Sequence, residues 1–370
     1  MKIGVPRETQ QGEARVASTP DVVKKLAAKG FSVLLEQDAG EGAHFTDAEY
    51  EQAGAVLVDR TAALAADIVL KVRKPSLEEI ALMSDGAVLV GFIETCEQDD
   101  ILQALFDKNI RPIALERVPR ISRAQSMDAL SSQSNIAGYR AVIEAANRFG
   151  RFLPLMMTSA GSAKPARVVV LGVGVAGLQA IATARRLGAD VYAYDIRPET
   201  REQILSLGAK PIDLDIGESG SGEGGYAKEL SDEAKAKQQQ LLADELSKAH
   251  ILITTALIPC RPAPVLVTED VVKRMREGSV IIDLAAETGG NCPLTEKDQV
   301  VNKEGVILVG HTNYPSMMPS DASAFYAKNI ANLLDIMVTV EEGKPVLNDF
   351  ELDEITQAAL VRPESTSTSA

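Results

Sequence analysis

Residues Arg167-Val-Val-Val-Leu-Gly-Val-Gly-Val-Ala-Gly177 run from a β-branched stretch into a glycine-rich turn, and Leu178–Leu187 continues with helical spacing. Glycines spaced GxGxxG are weak evidence alone, but a strand before them and a helix after them give the strand-turn-helix that holds a dinucleotide. Gly172 is expected to make the turn, Gly174 to admit a pyrophosphate against bare backbone, and Gly177 to pack helix on strand. The helix start would offer free amides and its positive dipole end to the phosphates. The next apolar run, Val191–Asp195, closes on a carboxylate about 20 residues on, where ribose hydroxyls are accepted. Asp195 favours NAD over NADP, because a 2′-phosphate would meet negative charge. Arg197 pulls the other way, and the carboxylate is expected to dominate.

Outward from this point the same rhythm occurs twice. Apolar runs at Lys2–Val5, Ser32–Glu36, Ile68–Val72, Ala87–Phe92 and Pro112–Leu115 alternate with helical stretches such as Pro20–Lys29 and Ile101–Lys108. A second set comprises Arg167–Leu171, Val191–Asp195, Ile251–Thr255, Val280–Asp283 and Val306–Val309. Buried strands alternating with helices predict the α/β class with two Rossmann-like, doubly wound parallel-sheet domains. Ser131–Phe152 reads as a long linking helix, and Ala322–Val340 as a helix returning to the first unit. The first domain is then discontinuous, residues 1–130 plus 320–370, and the second covers 131–319. The glycine-rich run Gly217–Gly225 buries no apolar surface and is expected to be mobile, either a linker or a lid. The Ser/Thr-rich tail Pro363–Ala370 is expected to be disordered.

The 370 residues, 45% hydrophobic and 24% charged, describe a globular chain with room for about two cores. A formal net charge of −14 argues against nucleic acid or an anionic membrane as the direct binding surface. Cys96, Cys260 and Cys292 lie far apart without CxxC spacing, so reduced, mostly buried thiols are expected and no zinc site is. Met1-Lys-Ile-Gly-Val-Pro6 reads as a strand start without a signal peptide's apolar core, so no secretion is expected. The apolar runs fall short of the roughly 18 to 20 residues that cross a bilayer.

The segment Pro119-Arg-Ile-Ser-Arg-Ala-Gln-Ser-Met-Asp-Ala-Leu-Ser-Ser-Gln-Ser-Asn135 is dense in hydrogen-bonding side chains yet contains Ile121, Met127 and Leu130. It is expected to be an ordered, partly buried loop. It is either a solvated helix cap or a site that places Arg120, Gln125, Asp128 and Ser131 around a polar ligand. It holds no good nucleophile and no obvious general base, which suits hydride transfer, where the nicotinamide does the chemistry and the protein positions it.

These residues resemble a family. Arg120-Ile-Ser-Arg-Ala-Gln-Ser-Met-Asp128, Ser131-Ser132, Gly138-Tyr-Arg140, the glycine turn through Ile181, Thr254-Thr-Ala-Leu-Ile-Pro259 and Gly289-Gly-Asn-Cys292 are similar to the NAD(H)-binding first domain of proton-translocating transhydrogenases, from Met1 to about Leu352. The resemblance implies that the domain carries NADH and docks on an NADP(H)-binding partner domain. Hydride then passes directly between two nicotinamides, and a transmembrane proton-channel domain couples the exchange to proton translocation. It also implies a homodimer in the cytoplasm, peripheral on the inner membrane through partner subunits. The long helices from Ser131 and Ala322 are expected to supply apolar surface for that dimer. By position, Arg120 and Asp128 would pair and order the loop, Ser131 would bind the nicotinamide carboxamide, and Gln125 would reach the ribose and the partner's cofactor. Ile121, Ser122, Ser126 and Met127 complete the loop at the cofactor. Val173, Gly174, Val175, Asp195, Ile196, Arg197 and Leu257 would line the groove, Gly225 and Tyr226 match a mobile loop over the nucleotide, and Gln238 adds a contact. Cys260 departs from the family's usual Gly and suggests a position that does not need positive φ.

The alternative is alanine dehydrogenase, which shares Arg15-Val-Ala and Lys71-Val-Arg-Lys-Pro75. In that enzyme an Arg and a Lys hold pyruvate and a His is the acid/base. Here Gly91-Phe-Ile-Glu-Thr-Cys96 puts Glu94 where that His would be, and His44, His250 and His311 read as structural. Loss of the proton shuttle would cost about 10² to 10⁴ in rate. A module that binds dinucleotide without turnover is the non-enzymatic alternative, and the polar loop argues against it.

Overall fold

The structure is a computed structural model that describes residues 1–96, 99–214, 232–258 and 260–363. Gly217–Gly225, Tyr226 and the tail beyond residue 363 lie outside the described residues. The chain divides into two compact units, Met1–Ser134 with Pro315–Ala370, and Asn135–Tyr314.

The first unit is built on six parallel strands, β1 (Lys2–Val5), β2 (Ser32–Glu36), β3 (Ala55–Val58), β4 (Ile68–Leu70), β5 (Val88–Gly91) and β6 (Arg111–Ala114), in the order β3-β2-β1-β4-β5-β6. Every residue of β4 and β5 is buried, as expected of a parallel sheet covered on both faces. Capping boxes at Thr46/Glu49 and Ser76/Glu79 start two of the connecting helices. The helix Pro319–Met337 adds Tyr326, Ile330, Leu333 and Met337 to the same core.

The second unit opens with an antiparallel hairpin, β7 (Met156–Thr158) and β8 (Gly161–Ala163). Its sheet has seven strands, β9 (Arg167–Leu171), β10 (Asp190–Tyr194), β11 (Lys210–Pro211), β12 (Ile251–Thr254), β13 (Val280–Asp283), β14 (Val300–Lys303) and β15 (Val306–Val309). The order is β11-β10-β9-β12-β13-β15-β14, all parallel except β14 against β15. That last hairpin turns through Glu304 and Gly305, both at positive φ, the backbone a two-residue connection requires. A further hairpin, β16 (Val338–Glu341) with β17 (Lys344–Leu347), belongs to the first unit. The fold is thus α/β, with one wholly parallel and one mostly parallel sheet.

Several expectations change. The linking helix spans Ala129–Arg148, starting earlier and stopping short of Phe152. Little apolar surface is left on it or on Pro319–Met337. Leu130, Tyr139 and Phe325 are their exposed large apolar residues, while Phe152, Leu155, Met156 and Met157 form a longer exposed stretch beside β7. The three cysteines are not uniformly buried and reduced. Cys292 is the free, buried thiol, whereas Cys96 and Cys260 are exposed and each is disulfide-bonded, because distance along the chain does not limit what a thiol reaches in space. Cys260 also adopts a φ of 60°, so this position does take the left-handed conformation usually given to Gly.

Candidate functional site

In the second unit β9 ends at Leu171 and the helix Val175–Arg186 begins three residues after Gly172. Gly172 has a φ of 89°, and a Cβ on it would meet Thr255 Oγ1 at 2.6 Å. A Cβ on Gly177 would lie 1.9 Å from the Gly172 carbonyl oxygen, so the helix's first turn is pressed onto the turn that precedes it. Gly174 differs: no heavy atom lies within 4 Å of its Cβ position. Two glycines make the turn compact, and the middle one leaves bare backbone facing open space at a helix start. That is the cradle a pyrophosphate fits. Val173 is buried, so it offers the site its backbone, while Val175 is 38% exposed.

Asp195 lies one residue past the end of β10 and is tied to the turn, since the Val173 N–H donates to its Oδ2 at 2.7 Å. Arg197 donates its backbone N–H and Nε–H to Oδ1, and an Nη2–H to Oδ2, all at 2.9 Å. Burial alone would raise the Asp195 carboxyl, but these hydrogen bonds and the guanidinium charge hold it below the ordinary range. Ile196 and Leu257 are exposed. Gln238 donates to the Tyr194 hydroxyl at 2.9 Å, which places it one residue from Asp195. Gly225 and Tyr226 lie outside the described residues.

The floor beside the turn uses residues that the sequence gave no reason to single out. The Thr255 hydroxyl donates to the Leu171 and Gly172 carbonyls at 3.2 and 3.0 Å. Asn291 receives the Ala256 N–H at 3.2 Å and donates to the Ala256 and Pro264 carbonyls at 2.9 and 2.8 Å, so one side chain braces the chain leaving β12. Asp283, fully buried at the end of β13, accepts from Thr254 Oγ1, Thr295 Oγ1 and the Ala285 and Cys292 N–H groups. Gly290, at a φ of 79°, fits because a Cβ there would come within 2.7 Å of Asp283. Gly138 is equally constrained, with its Cβ position 2.1 Å from the Ala176 carbonyl. The motifs Thr254–Pro259, Gly289–Cys292 and Gly138–Arg140 were the available signal for these supports.

The polar loop belongs to the first unit, where Ser122–Met127 forms a 3₁₀ turn. Ala124 and Met127 are buried, and Ile121 packs partly against the core. Asn329 and Asn332 both donate to the Ser126 carbonyl, at 2.9 and 3.0 Å. Arg123 is drawn to Asp353 and Glu354. Arg120, Ser122, Gln125 and Ser126 are left exposed or half-buried on a loop anchored from behind. The expected Arg120–Asp128 pair is not formed. Asp128 instead precedes the helix Ala129–Arg148 and accepts the Ser131 N–H at 2.8 Å and the Ser131 hydroxyl at 2.6 Å. A helix start carries unpaired N–H groups, and a carboxylate at that position satisfies them locally.

The charges shared with alanine dehydrogenase are satisfied within this unit. Lys71 Nζ lies 3.1 Å from Glu8 and 2.9 Å from Glu79. Arg15 holds Glu13 at 2.6 Å and donates to Gln133 at 2.8 Å. Glu94 is exposed at a φ of 57°. In the second unit His250 Nδ1 accepts the Arg167 N–H at 2.8 Å, and His311 sits 3.6 Å from Glu144. No helix among the described residues is long and apolar enough to cross a membrane.

Residues 4–137 match the family description "Alanine dehydrogenase/PNT, N-terminal domain", and residues 141–363 match "Alanine dehydrogenase/PNT, C-terminal domain". The chain is 54% identical to an NAD(P) transhydrogenase subunit alpha chain of Rhodospirillum rubrum, over 98% of this chain and 96% of that protein. A solved transhydrogenase from Sinorhizobium meliloti superposes with a TM-score of 0.88 at 43% identity, covering 97% of this chain and 98% of the other. Alanine dehydrogenase 2 of Staphylococcus aureus is 32% identical over 90% of this chain and 88% of its own length. With both family descriptions matched along nearly the whole chain, over a glycine turn and carboxylate of the kind just described, the chain belongs to the alanine dehydrogenase/PNT family.

Proposed function

We propose that the chain is the NAD(H)-binding component of a proton-translocating transhydrogenase. The Gly172–Gly177 turn and Asp195 hold NAD(H), and the Arg120–Ser131 loop presents it for direct hydride transfer to NADP(H) on a separate partner domain. Bound NADH supplies the hydride, so the chain's own task is positioning. The observation that carries this over an amino-acid dehydrogenase is the make-up of the loop. Its exposed groups, Arg120 and Gln125, neither take nor give a proton near neutral pH. Hydride transfer between two nicotinamides requires no proton at the reacting carbons, whereas reductive amination does.

A transmembrane partner domain would couple the exchange to proton translocation, with this chain on the cytoplasmic side of the inner membrane. Self-association as a homodimer is part of the same reading. The apolar stretch Phe152–Met157, rather than the two long helices, is the surface that supports it.

The test is Gln125→Asn in single-turnover transfer with saturating NADH and the purified NADP(H)-binding partner, beside an equilibrium titration of NADH. NADH affinity should stay nearly unchanged, because the groove of the second unit holds the dinucleotide. Transfer should fall by about 10² or more, since a displacement of roughly 1 Å costs that much when positioning is the main catalytic term. A parallel fall in both, or no change in either, would make the loop ordinary structure.

A further inference from the structure

Both oxygens of Asp195 are fully engaged: two of the four donors are backbone N–H groups, of Val173 and Arg197, and two belong to the Arg197 guanidinium. A carboxylate offers about four lone-pair positions, so no further donor is seated while the guanidinium stays. The backbone donors are fixed by the turn. The guanidinium is not, being on a side chain 52% exposed against 7% for Asp195. A ribose with free 2′- and 3′-hydroxyls brings two O–H donors and exchanges with it two for two. A ribose 2′-phosphate brings negative charge and no such pair, so it needs a cation that Asp195 already holds.

We propose that Arg197 sets the choice between a free ribose and a 2′-phosphorylated one, by keeping the Asp195 seat that a diol takes over and by having its charge withheld from a 2′-phosphate. The inference rests on the NAD(H) reading of this site. A second cation in the same cleft of about 230 Å³ is withheld similarly, with Arg201 bidentate on Asp213 at 3.2 and 3.0 Å. That pair is exposed on both sides, at 54% and 65%, so water already screens it and its release matters less. The simpler account is that Asp195 repels the phosphate alone and Arg197 is a bystander. The two accounts differ in what remains once the carboxylate is gone.

The experiment is calorimetric titration of the full chain with NADH and, separately, NADPH. The proteins are the unaltered chain, Asp195→Asn, Arg197→Met and the double variant. Asp195→Asn keeps an acceptor for the Val173 N–H, and Arg197 is half exposed, so the fold is not at stake. Asp195→Asn should strengthen NADPH binding by about tenfold or more, the effect of one freed charge-assisted contact. In the double variant the gain should shrink to less than about threefold, a coupling that only contacting residues show. An equal gain with and without Arg197, or no gain in Asp195→Asn, overturns the proposal. Failure of the unaltered chain to bind NADH overturns the cofactor reading instead, which keeps the two failures apart.

Discussion

The two sheets share an inner order, with a first strand between the second and the fourth, yet their carboxyl ends are furnished in opposite ways. After β1 the chain brings Glu8 and Glu13 to Lys71, Arg15 and Arg73, and the lysine and its two carboxylate partners are at most 5% exposed. After β9 the chain is glycine, and the Cβ position at Gly174 faces nothing within 4 Å. A reversal of strand order creates a crevice at such a point, but the first unit fills it with its own ion pairs and the second leaves it open. Topology offers the site, and the residues following the first strand decide whether a ligand or the protein itself occupies it.

Lys71→Met attacks the filled crevice and should have the largest effect. It leaves Glu8 and Glu79 buried without their cation, at a cost of about 3–5 kcal/mol, while NADH binding to surviving folded protein is unaltered. Urea unfolding beside an NADH titration reads both, and a cost under about 1 kcal/mol would mean the crevice is wet. Glu13 sharpens the same point through pH. Burial alone would raise its carboxyl, but the hydrogen bonds and charge of Arg15, with Arg73, lower it from 4.5 to about 2. Its folded value lies below its unfolded one, so the stability it contributes is present above about pH 4.5 and lost as pH falls towards about 2. The shift corresponds to about 3 kcal/mol, and Glu13→Gln should flatten that part of the urea stability profile. An unchanged slope in the variant would remove Glu13 from the charges that hold this crevice. Gly177→Ala tests the open crevice with the smallest expected effect. Its Cβ would overlap the Gly172 carbonyl, costing roughly 1–3 kcal/mol and weakening NADH in step. Gly150→Ala, where a Cβ meets nothing within 4 Å, is the control that should change neither.

The strands β1, β2, β9, β13 and β15 were legible to the residue, because mostly buried runs bounded by turn residues are continuous and apolar. β3 and β14 were not, since edge strands expose one side, as Val56 at 52% and Val300 at 37% illustrate. The glycine turn and Asp195 were legible for a local reason: strand, turn, helix and carboxylate follow one another within about 30 residues. The Arg120–Asp128 pair failed for an equally local reason, because the helix start at Ala129 claims the carboxylate first. Thr255 and Asn291 carried no isolated signal, their partners lying 83 and 35 residues away. Only the fold brings them together.

The two asparagines that hold the Ser126 carbonyl have a consequence for how the protein is made. Asn329 follows Ser126 by 203 residues. At about 5–20 residues per second, roughly 10–40 s of translation separate the loop from its support. The whole second unit is complete on the ribosome before Asn329 is added. The nascent chain therefore acquires a nucleotide cradle well before it acquires a braced loop, and the last step of folding is the one that finishes the surface turned towards a partner.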